Sequence, residues 1–219
     1  MPARRMKESA SAKLFGKMSL YEAWGLAVSF FAVSFVFAYD FERPFSTFGV
    51  LPKAMAAVAI TMAVHEFVQR KVAKRFGCSA AYEMWLPGVV FSLLMVLVGI
   101  KLIIVGGTAV AAYKFSRWGM RDRHASFEEV GIISMSGPVA NLVLATVFKA
   151  FAGPAGWSAA AGYLSDINTW FAVYSLIPLK QLDGGGLFMW SHVYWILIMI
   201  WAALLLTPFG IFSGVFTFL

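Results

Sequence analysis

The feature that most constrains this chain is a series of long apolar stretches. Each of them reaches or approaches the ~20 residues that a helix needs to cross the hydrocarbon core of a bilayer. They run from about Leu20 to Tyr39, Leu51 to Val68, Val130 to Phe151 and Trp157 to Ile177. Hydrophobic residues make up 60% of the 219 positions and charged residues 13%, against about 45–50% and 25% in soluble domains. The sequence therefore predicts a membrane protein.

The chain length limits the number of spans. It accommodates about five or six membrane-spanning helices and leaves no room for a sizeable soluble domain. The last stretch, Ser191 to Leu219, is one long span or a span followed by a short segment, because Thr207 to Gly210 is typical of a break. We therefore predict an all-α polytopic membrane protein, with a basic cytoplasmic segment over residues 1–19 and a single membrane-embedded domain over residues 20–219.

The net charge of +7 is explained by topology. Basic residues cluster at the ends of apolar stretches, before Leu20 and from Arg70 to Arg75, and form no soluble basic face. The positive-inside rule then puts the N-terminus in the cytoplasm of a multi-pass cell membrane protein. The first stretch is longer than the apolar region of a signal peptide and lacks a clear cleavage site, so it is predicted to be retained. The lipid bilayer is the expected surrounding, and nucleic acid is not an expected partner.

The stretch from Met84 to Tyr113 does not fit a simple span. It is interrupted by Pro87 and by glycines that include Gly106 and Gly107. A single crossing would also put the basic loop from Arg117 to Arg123 on the outside, against the charge bias. We predict a small re-entrant or β-ribbon element after the second span, returning to the cytoplasmic side and covered by protein or water.

Two ionisable residues, His65 and Glu66, lie inside an otherwise apolar predicted helix. Such side chains are costly there and usually face a cavity or a partner. In the zinc-protease pattern H-E-x-x-H, two histidines one helical turn apart bind zinc and the glutamate activates a water molecule. Here Gln69 stands at the second histidine position. The pair alone is also compatible with a structural hydrogen bond between helices.

A second carboxylate, Asp183, follows the fourth predicted span. Pro178 ends that helix, and the glycines from Gly184 to Gly186 let the backbone approach a neighbour closely. Span order and charge bias place His65, Glu66 and Asp183 toward the same, cytoplasmic, side of the bilayer. We therefore expect these three side chains to converge.

Three blocks carry a resemblance to a known family. They are the helix from His65 into its basic turn at Gly77, the segment Ile133 to Leu142, and the segment Ser175 to Gly184. Together they resemble the active-site helix, the "AGPLANL" block and the "NLLPxxPLDG" block of site-2 proteases, which are intramembrane zinc metalloproteases. The similarity is to the short archaeal and bacterial members, and the order and spacing match from about Leu51 to Leu187.

The resemblance implies specific roles. One zinc ion is held by His65 and Asp183, with Gln69 as a weakened or lost ligand, and Glu66 is the catalytic base. Ser175 stands where the family commonly has an asparagine that positions substrate. The second proline of that block is also absent. Gly137, Pro138, Asn141, Pro178 and Gly184 belong to the structural motifs.

The substitution at Gln69 leaves three outcomes open: a weakened zinc site, a different metal, or none. An amide oxygen is neutral and a poorer zinc donor than imidazole. His124 and His192 are the other histidines in the chain. His124 lies in a polar loop, whereas His192 opens the last span near the face of Asp183 and is a candidate substitute ligand. The single cysteine, Cys78, excludes an internal disulfide.

Three function classes compete. The first is an intramembrane zinc metalloendopeptidase that hydrolyses peptide bonds in or near a transmembrane protein or peptide substrate. The second is a catalytically inactive relative that binds transmembrane segments or regulates another protease, as the residues at positions 69 and 175 favour. A small transporter or channel is third, because only polar residues inside spans support it and the internal repeat of many transporters is absent.

Overall fold

The structure of the protein is a computed structural model that describes residues 19–110, 113–115, 121–152 and 158–206. The described chain is mostly helical. Its helices are α1 (Leu20–Ala38), α2 (Thr47–Arg75), α3 (Leu86–Leu97), α4 (Phe127–Phe151), α5 (Ser158–Ser175), α6 (Asp183–Trp190) and α7 (His192–Leu206), and a 3-10 turn at Pro44–Ser46 leads into α2. Its strands are β1 (Ala80–Met84), β2 (Gly106–Val110), β3 (Tyr113–Phe115) and β4 (Arg121–His124).

Within the described residues, three helical segments are long and apolar enough to cross a membrane. They are Leu20–Ala38, Pro44–Arg75 and Phe127–Phe151, and they agree with the first three predicted spans. The fourth prediction corresponds to α5, which has 18 residues, and the last to α7, which has 15 described residues. A total of five or six spans and their orientation stay predictions. The basic segment over residues 1–18 and the break after residue 206 lie outside the described residues.

The prediction of a β-ribbon after the second span is confirmed. Strands β1 and β2 pair antiparallel, with Ala80 opposite Val110 and Met84 opposite Gly106. The short helix α3 lies between them in the sequence. A second antiparallel pair, β3 with β4, departs from the all-α prediction. Its strands have only three and four residues, and an alternating pattern cannot be recognised over so few positions.

The two larger apolar clusters of the described residues share α5, and a third, smaller cluster contains Ala73, Cys78 and Ile133. Of the two larger clusters, one is formed by α1, α2, α3 and α5, and the other by α4, α5, α6 and α7. Helix α4 also packs against both α2 and α6. The C-terminal part of α2 and the start of α6 therefore meet on α4, although they are far apart in the sequence.

The sequence ends α2 at a defined point. Gly77 adopts a left-handed φ of 68°, which glycine reaches without steric cost. The N–H of Cys78 bonds to the carbonyl of Ala73 at 2.9 Å, and the N–H of Gly77 bonds to that of Lys74 at 3.1 Å. This pattern is a Schellman cap. It turns the chain from α2 directly into β1, so the ribbon follows the helix that carries His65.

We predict that Gly88→Ala destabilises the fold. A Cβ at Gly88 would lie 2.0 Å from the carbonyl oxygen of Ile104 and 2.4 Å from the ring of Trp85. Such overpacking costs about 1–3 kcal/mol. Thermal unfolding of the detergent-purified protein should show a lower midpoint. The matched control is Gly162→Ala, a helical position with nothing within 4 Å, and an equal loss in both variants would contradict the prediction.

Candidate metal centre and catalytic site

The predicted convergence of His65 and Asp183 is present in the structure. His65 Nε2 lies 3.0 Å from Asp183 Oδ2, and the two side chains are 4% and 2% exposed. His65 is on α2, and Asp183 is the first residue of α6. The sequence did not predict α6, since its glycine-rich start is typical of a loop.

Two glycines make this approach possible. A Cβ at Gly184 would lie 2.2 Å from the carbonyl oxygen of Leu176, so the start of α6 sits directly against the end of α5. A Cβ at Gly137 would lie 2.5 Å from His65 Nε2 and 2.8 Å from Gln69 Cδ. The absence of a side chain at Gly137 therefore leaves the space that the site occupies.

Pro138 lies in the interior of α4 and not near a helix start. Proline has no N–H, so the carbonyl four residues earlier loses its helical partner. That carbonyl belongs to Ser134, and it accepts a hydrogen bond from Gln69 Nε2 at 3.4 Å. The Gly137-Pro138 pair thus has two structural effects: it makes room for Gln69 and gives its amide group an acceptor.

Thr108 is a site residue that the sequence did not indicate. Its backbone N–H donates to Asp183 Oδ1 at 3.3 Å, and its hydroxyl lies 3.2 Å from Glu66 Oε1. The same hydroxyl also contacts Gln69 Oε1. A single threonine in a short strand gives no sequence signal of a functional site. The pairing of β2 with β1 places Thr108 beside the site. Thr108 therefore links the ribbon to the candidate base, Glu66, and to the candidate metal ligands Asp183 and Gln69.

Asn141 contacts the other side of the histidine ring. Its Nδ2 atom lies 3.0 Å from His65 Nδ1, and its Oδ1 atom is buried without a hydrogen-bond partner. Rotating the amide by 180° would let Oδ1 accept a proton from Nδ1, and Nε2 would then be free to bind a metal ion. Amide orientations are assigned from the hydrogen-bond network, and metal-binding histidines almost always donate their second N–H. Asn141 is thus placed to orient His65.

Ser175 lines a small cavity beside these groups. The cavity has a volume of about 20 Å³, space for about one water molecule, and it is also lined by His65, Glu66 and Asp183. The Ser175 hydroxyl donates to the carbonyl of Ala172 at 2.9 Å within its own helix. The lone pairs of this hydroxyl remain as acceptors. Because Ser175 and Glu66 line the same cavity, the predicted substrate-positioning residue lies near the predicted base.

Among the described side chains, His192 does not complete the metal site. His192 is exposed and its ring packs against Phe188, with centroids 4.2 Å apart. Across the described ranges, no three His, Cys, Asp or Glu side chains form a metal-binding group. His124 ends β4, and its side chain lies outside the described part. Pro178 is exposed just after α5, and Cys78 is buried away from the site.

Comparison with known proteins gives two curated relatives named "Putative zinc metalloprotease". One, from Methanocaldococcus jannaschii, is 27% identical over 188 residues, which cover 83% of this chain and 91% of that protein. The other, Rip2 of Mycolicibacterium smegmatis, is 32% identical over 164 residues, which cover 68% of this chain and 61% of that protein. The chain is similar to two proteins that carry this name. This similarity is consistent with the site-2 protease family that the sequence blocks resemble.

Two further comparisons gave no match. No family model matches the chain, and no solved structure matches it. The relationship to zinc metalloproteases therefore depends on the two relatives and on the residues of the site.

The described residues can supply three ligands to a zinc ion, of which one, the Gln69 amide oxygen, is a weak donor. Ligand atoms of a tetrahedral zinc with bonds of about 2.0–2.1 Å are about 3.3 Å apart, and His65 Nε2 and Asp183 Oδ2 are 3.0 Å apart. The single proton of the Thr108 hydroxyl faces two acceptors, Glu66 Oε1 and Gln69 Oε1, so acceptors outnumber protons. A cation would balance this excess. His65 and Asp183 would hold zinc, with Gln69 Oε1 as a neutral third donor.

We predict that Asn141→Leu lowers metal affinity about 10- to 100-fold, the usual cost of losing an outer-shell partner of a ligand histidine. Asn141→Asp should lose less, because a carboxylate still accepts a proton from His65 Nδ1. Competition with a chromogenic chelator measures both affinities on purified protein. Unchanged affinity in the leucine variant would contradict a role in orienting His65.

Proposed function

We propose that the protein is an intramembrane zinc metalloendopeptidase of the site-2 protease type, hydrolysing peptide bonds in or near transmembrane segments. The observation that carries the proposal is the arrangement of His65, Glu66 and Asp183 around a cavity of about one water molecule. These groups lie among helices that are long and apolar enough to cross a membrane. The two relatives named as zinc metalloproteases support the same reaction class.

In this proposal each side chain has a distinct role. His65 and Asp183 hold the metal ion, and Glu66 takes a proton from the attacking water and returns it to the leaving amine. Zinc bound at this site would polarise the scissile carbonyl and make the water more acidic. Thr108 orients Glu66 through the hydroxyl contact to Oε1. Ser175 lines the cavity, where the lone pairs of its hydroxyl are available to accept a hydrogen bond from the substrate backbone.

A groove beside the site gives a substrate its route. It has a volume of about 290 Å³ and runs between the ribbon and the segment 180–182, with Thr108 in its wall. A Cβ at Gly107 would lie 2.9 Å from the carbonyl oxygen of Gln181 and 3.0 Å from the Cα of Leu182. Because glycine has no side chain, the ribbon can approach the segment 180–182 closely at this point. An extended peptide fits such a space better than a helix, whose diameter is about 10 Å. A transmembrane substrate would therefore unwind locally before cleavage.

The environment of the site supports a multi-pass cell membrane protein with a cytoplasmic N-terminus. His65 and Glu66 lie in the last third of α2, toward the basic end from Arg70 to Arg75. Under the positive-inside rule that end faces the cytoplasm. Substrates would accordingly be cut near the cytoplasmic face of the bilayer.

A second function is favoured by one observation. Gln69 is hydrogen-bonded at both ends of its amide, by the carbonyl of Ser134 and the hydroxyl of Thr108. When the Thr108 proton is directed to Gln69 Oε1, the chain satisfies this side chain without a metal ion. A non-catalytic relative that retains the groove and binds transmembrane segments, or regulates another protease, would have this feature.

We predict that Glu66→Gln retains metal and loses cleavage. Glutamine has nearly the same shape as glutamate but cannot accept the proton of the attacking water, so cleavage should fall by about 100-fold or more. Metal content by elemental analysis and cleavage of an unfolded or transmembrane substrate would be measured on the same preparation. Equal cleavage by the variant and the parent would remove Glu66 from the mechanism.

We predict that Gln69→His raises metal affinity by about tenfold or more, because it supplies a direct imidazole ligand and even outer-shell partners contribute 10- to 100-fold. His65→Ala is the control that should abolish binding. A parent that binds metal and cleaves supports the protease proposal. A parent that does neither, with both properties gained in the histidine variant, favours the non-catalytic function.

A further inference from the structure

Glu66 is held by an arginine of its own helix. Arg70 follows one helical turn later, and its Nε and Nη2 atoms donate to Glu66 Oε2 at 3.3 and 3.0 Å. The other carboxylate oxygen, Oε1, faces the Thr108 hydroxyl at 3.2 Å. Because Arg70 contacts one oxygen and Thr108 the other, the rotation of the Glu66 carboxylate is restricted.

Arg70 is shared with a second carboxylate. Its Nη2 atom lies 2.9 Å from Glu22 Oε1, and the Glu22 side chain is 4% exposed. Glu22 is in the first turn of α1, where the helix dipole favours a negative charge. The same Glu22 oxygen accepts the backbone N–H of Tyr82 at 3.0 Å. The first helix and the ribbon are therefore both linked to the arginine that holds Glu66.

A second contact fastens β1 to the first helix. The Tyr82 hydroxyl donates to Ser29 Oγ at 2.7 Å. Burial raises the pKa of the Tyr82 phenol, so the group keeps the proton that this hydrogen bond requires. Helix α1 is thus held against β1 at Glu22 and at Ser29, which restricts the movement of the Glu22 carboxylate relative to Arg70.

A purely topological role does not account for this geometry. A basic residue that only marks the cytoplasmic side needs no buried partner, whereas Arg70 is directed at two carboxylates that are 4% and 12% exposed. Glu22 itself is an acidic residue at the start of an apolar helix, a position that is costly without a partner.

We propose that Arg70 and Glu22 are positioning residues for Glu66, with Glu22 acting through Arg70. This inference rests on the proposed function for its catalytic consequence. Arg70 sets the orientation of the base, and Glu22 sets the orientation of Arg70. The N-terminal helix α1 is then part of the catalytic apparatus as well as a membrane span.

The test is a double-mutant cycle with Arg70→Ala and Glu22→Gln in the full chain. We expect Arg70→Ala to lower kcat about 10- to 100-fold, the cost of misplacing a catalytic group, with KM nearly unchanged. Glu22→Gln should lower kcat less, and it should have no further effect once Arg70 is absent. Added guanidinium should restore part of the activity of Arg70→Ala. Arg70→Lys, which keeps the charge but not the two-atom contact, should be intermediate.

A second readout does not need activity. The infrared carboxylate band of Glu66 is identified as the band that Glu66→Gln removes. Arg70→Ala or Arg70→Lys should shift that band, and Glu22→Gln should shift it only while Arg70 is present. Matched controls are Lys71→Ala, which removes a cation from the same helical turn, and Glu42→Gln at an exposed position. Neither control should change the band or kcat.

The two readouts separate the possible failures. If the parent cleaves no substrate but the Glu66 band shifts as expected, the protease proposal fails and the positioning of Glu66 by Arg70 and Glu22 stands. If the band is the same in Arg70→Ala, Arg70→Lys and the parent, the inference is overturned. It is also overturned if Glu22→Gln lowers kcat by the same factor with and without Arg70.

Discussion

The contact between His65 and Asp183 joins two positions that are 118 residues apart in the chain, and the arrangement of the site depends on it. It requires α2 and α6 to meet on α4, and it requires backbones without side chains at Gly137 and Gly184. Close packing of protein interiors makes such an approach all-or-none, because one extra methyl group cannot be absorbed. Gly137 and Gly184 are therefore steric requirements of this one contact.

Most polar groups of the site have hydrogen-bond partners although their surroundings are apolar. Buried polar atoms are costly unless they are hydrogen-bonded. Here the partners come from a helix carbonyl that proline leaves free and from a residue of a short strand. Pro138 frees the carbonyl of Ser134 for Gln69, and Thr108 brings a hydroxyl and a backbone N–H on a strand. The site is therefore a small polar network enclosed by apolar helices, with its groups held in one arrangement before any ligand binds.

The sequence predicted much of this. The apolar stretches placed α1, α2 and α4, the broken stretch placed the ribbon, and charge bias with span order brought His65 and Asp183 together. It failed at the short strands β3 and β4 and at helix α6. Those elements are too short for a periodic signal, and α6 forms where it packs against α4.

What the sequence determined by itself is the set of local features: helices from apolar length, the i and i+4 placement of His65 and Gln69, and the family resemblance of three blocks. Only the tertiary structure decided which distant groups touch, including Thr108 on Gln69, Asn141 on His65 and Glu22 on Arg70. The physical reason is that helical periodicity is encoded over a few neighbouring residues, whereas contacts between elements depend on how whole helices pack. No local sequence pattern around Thr108 or Glu22 indicates which residue each of them contacts.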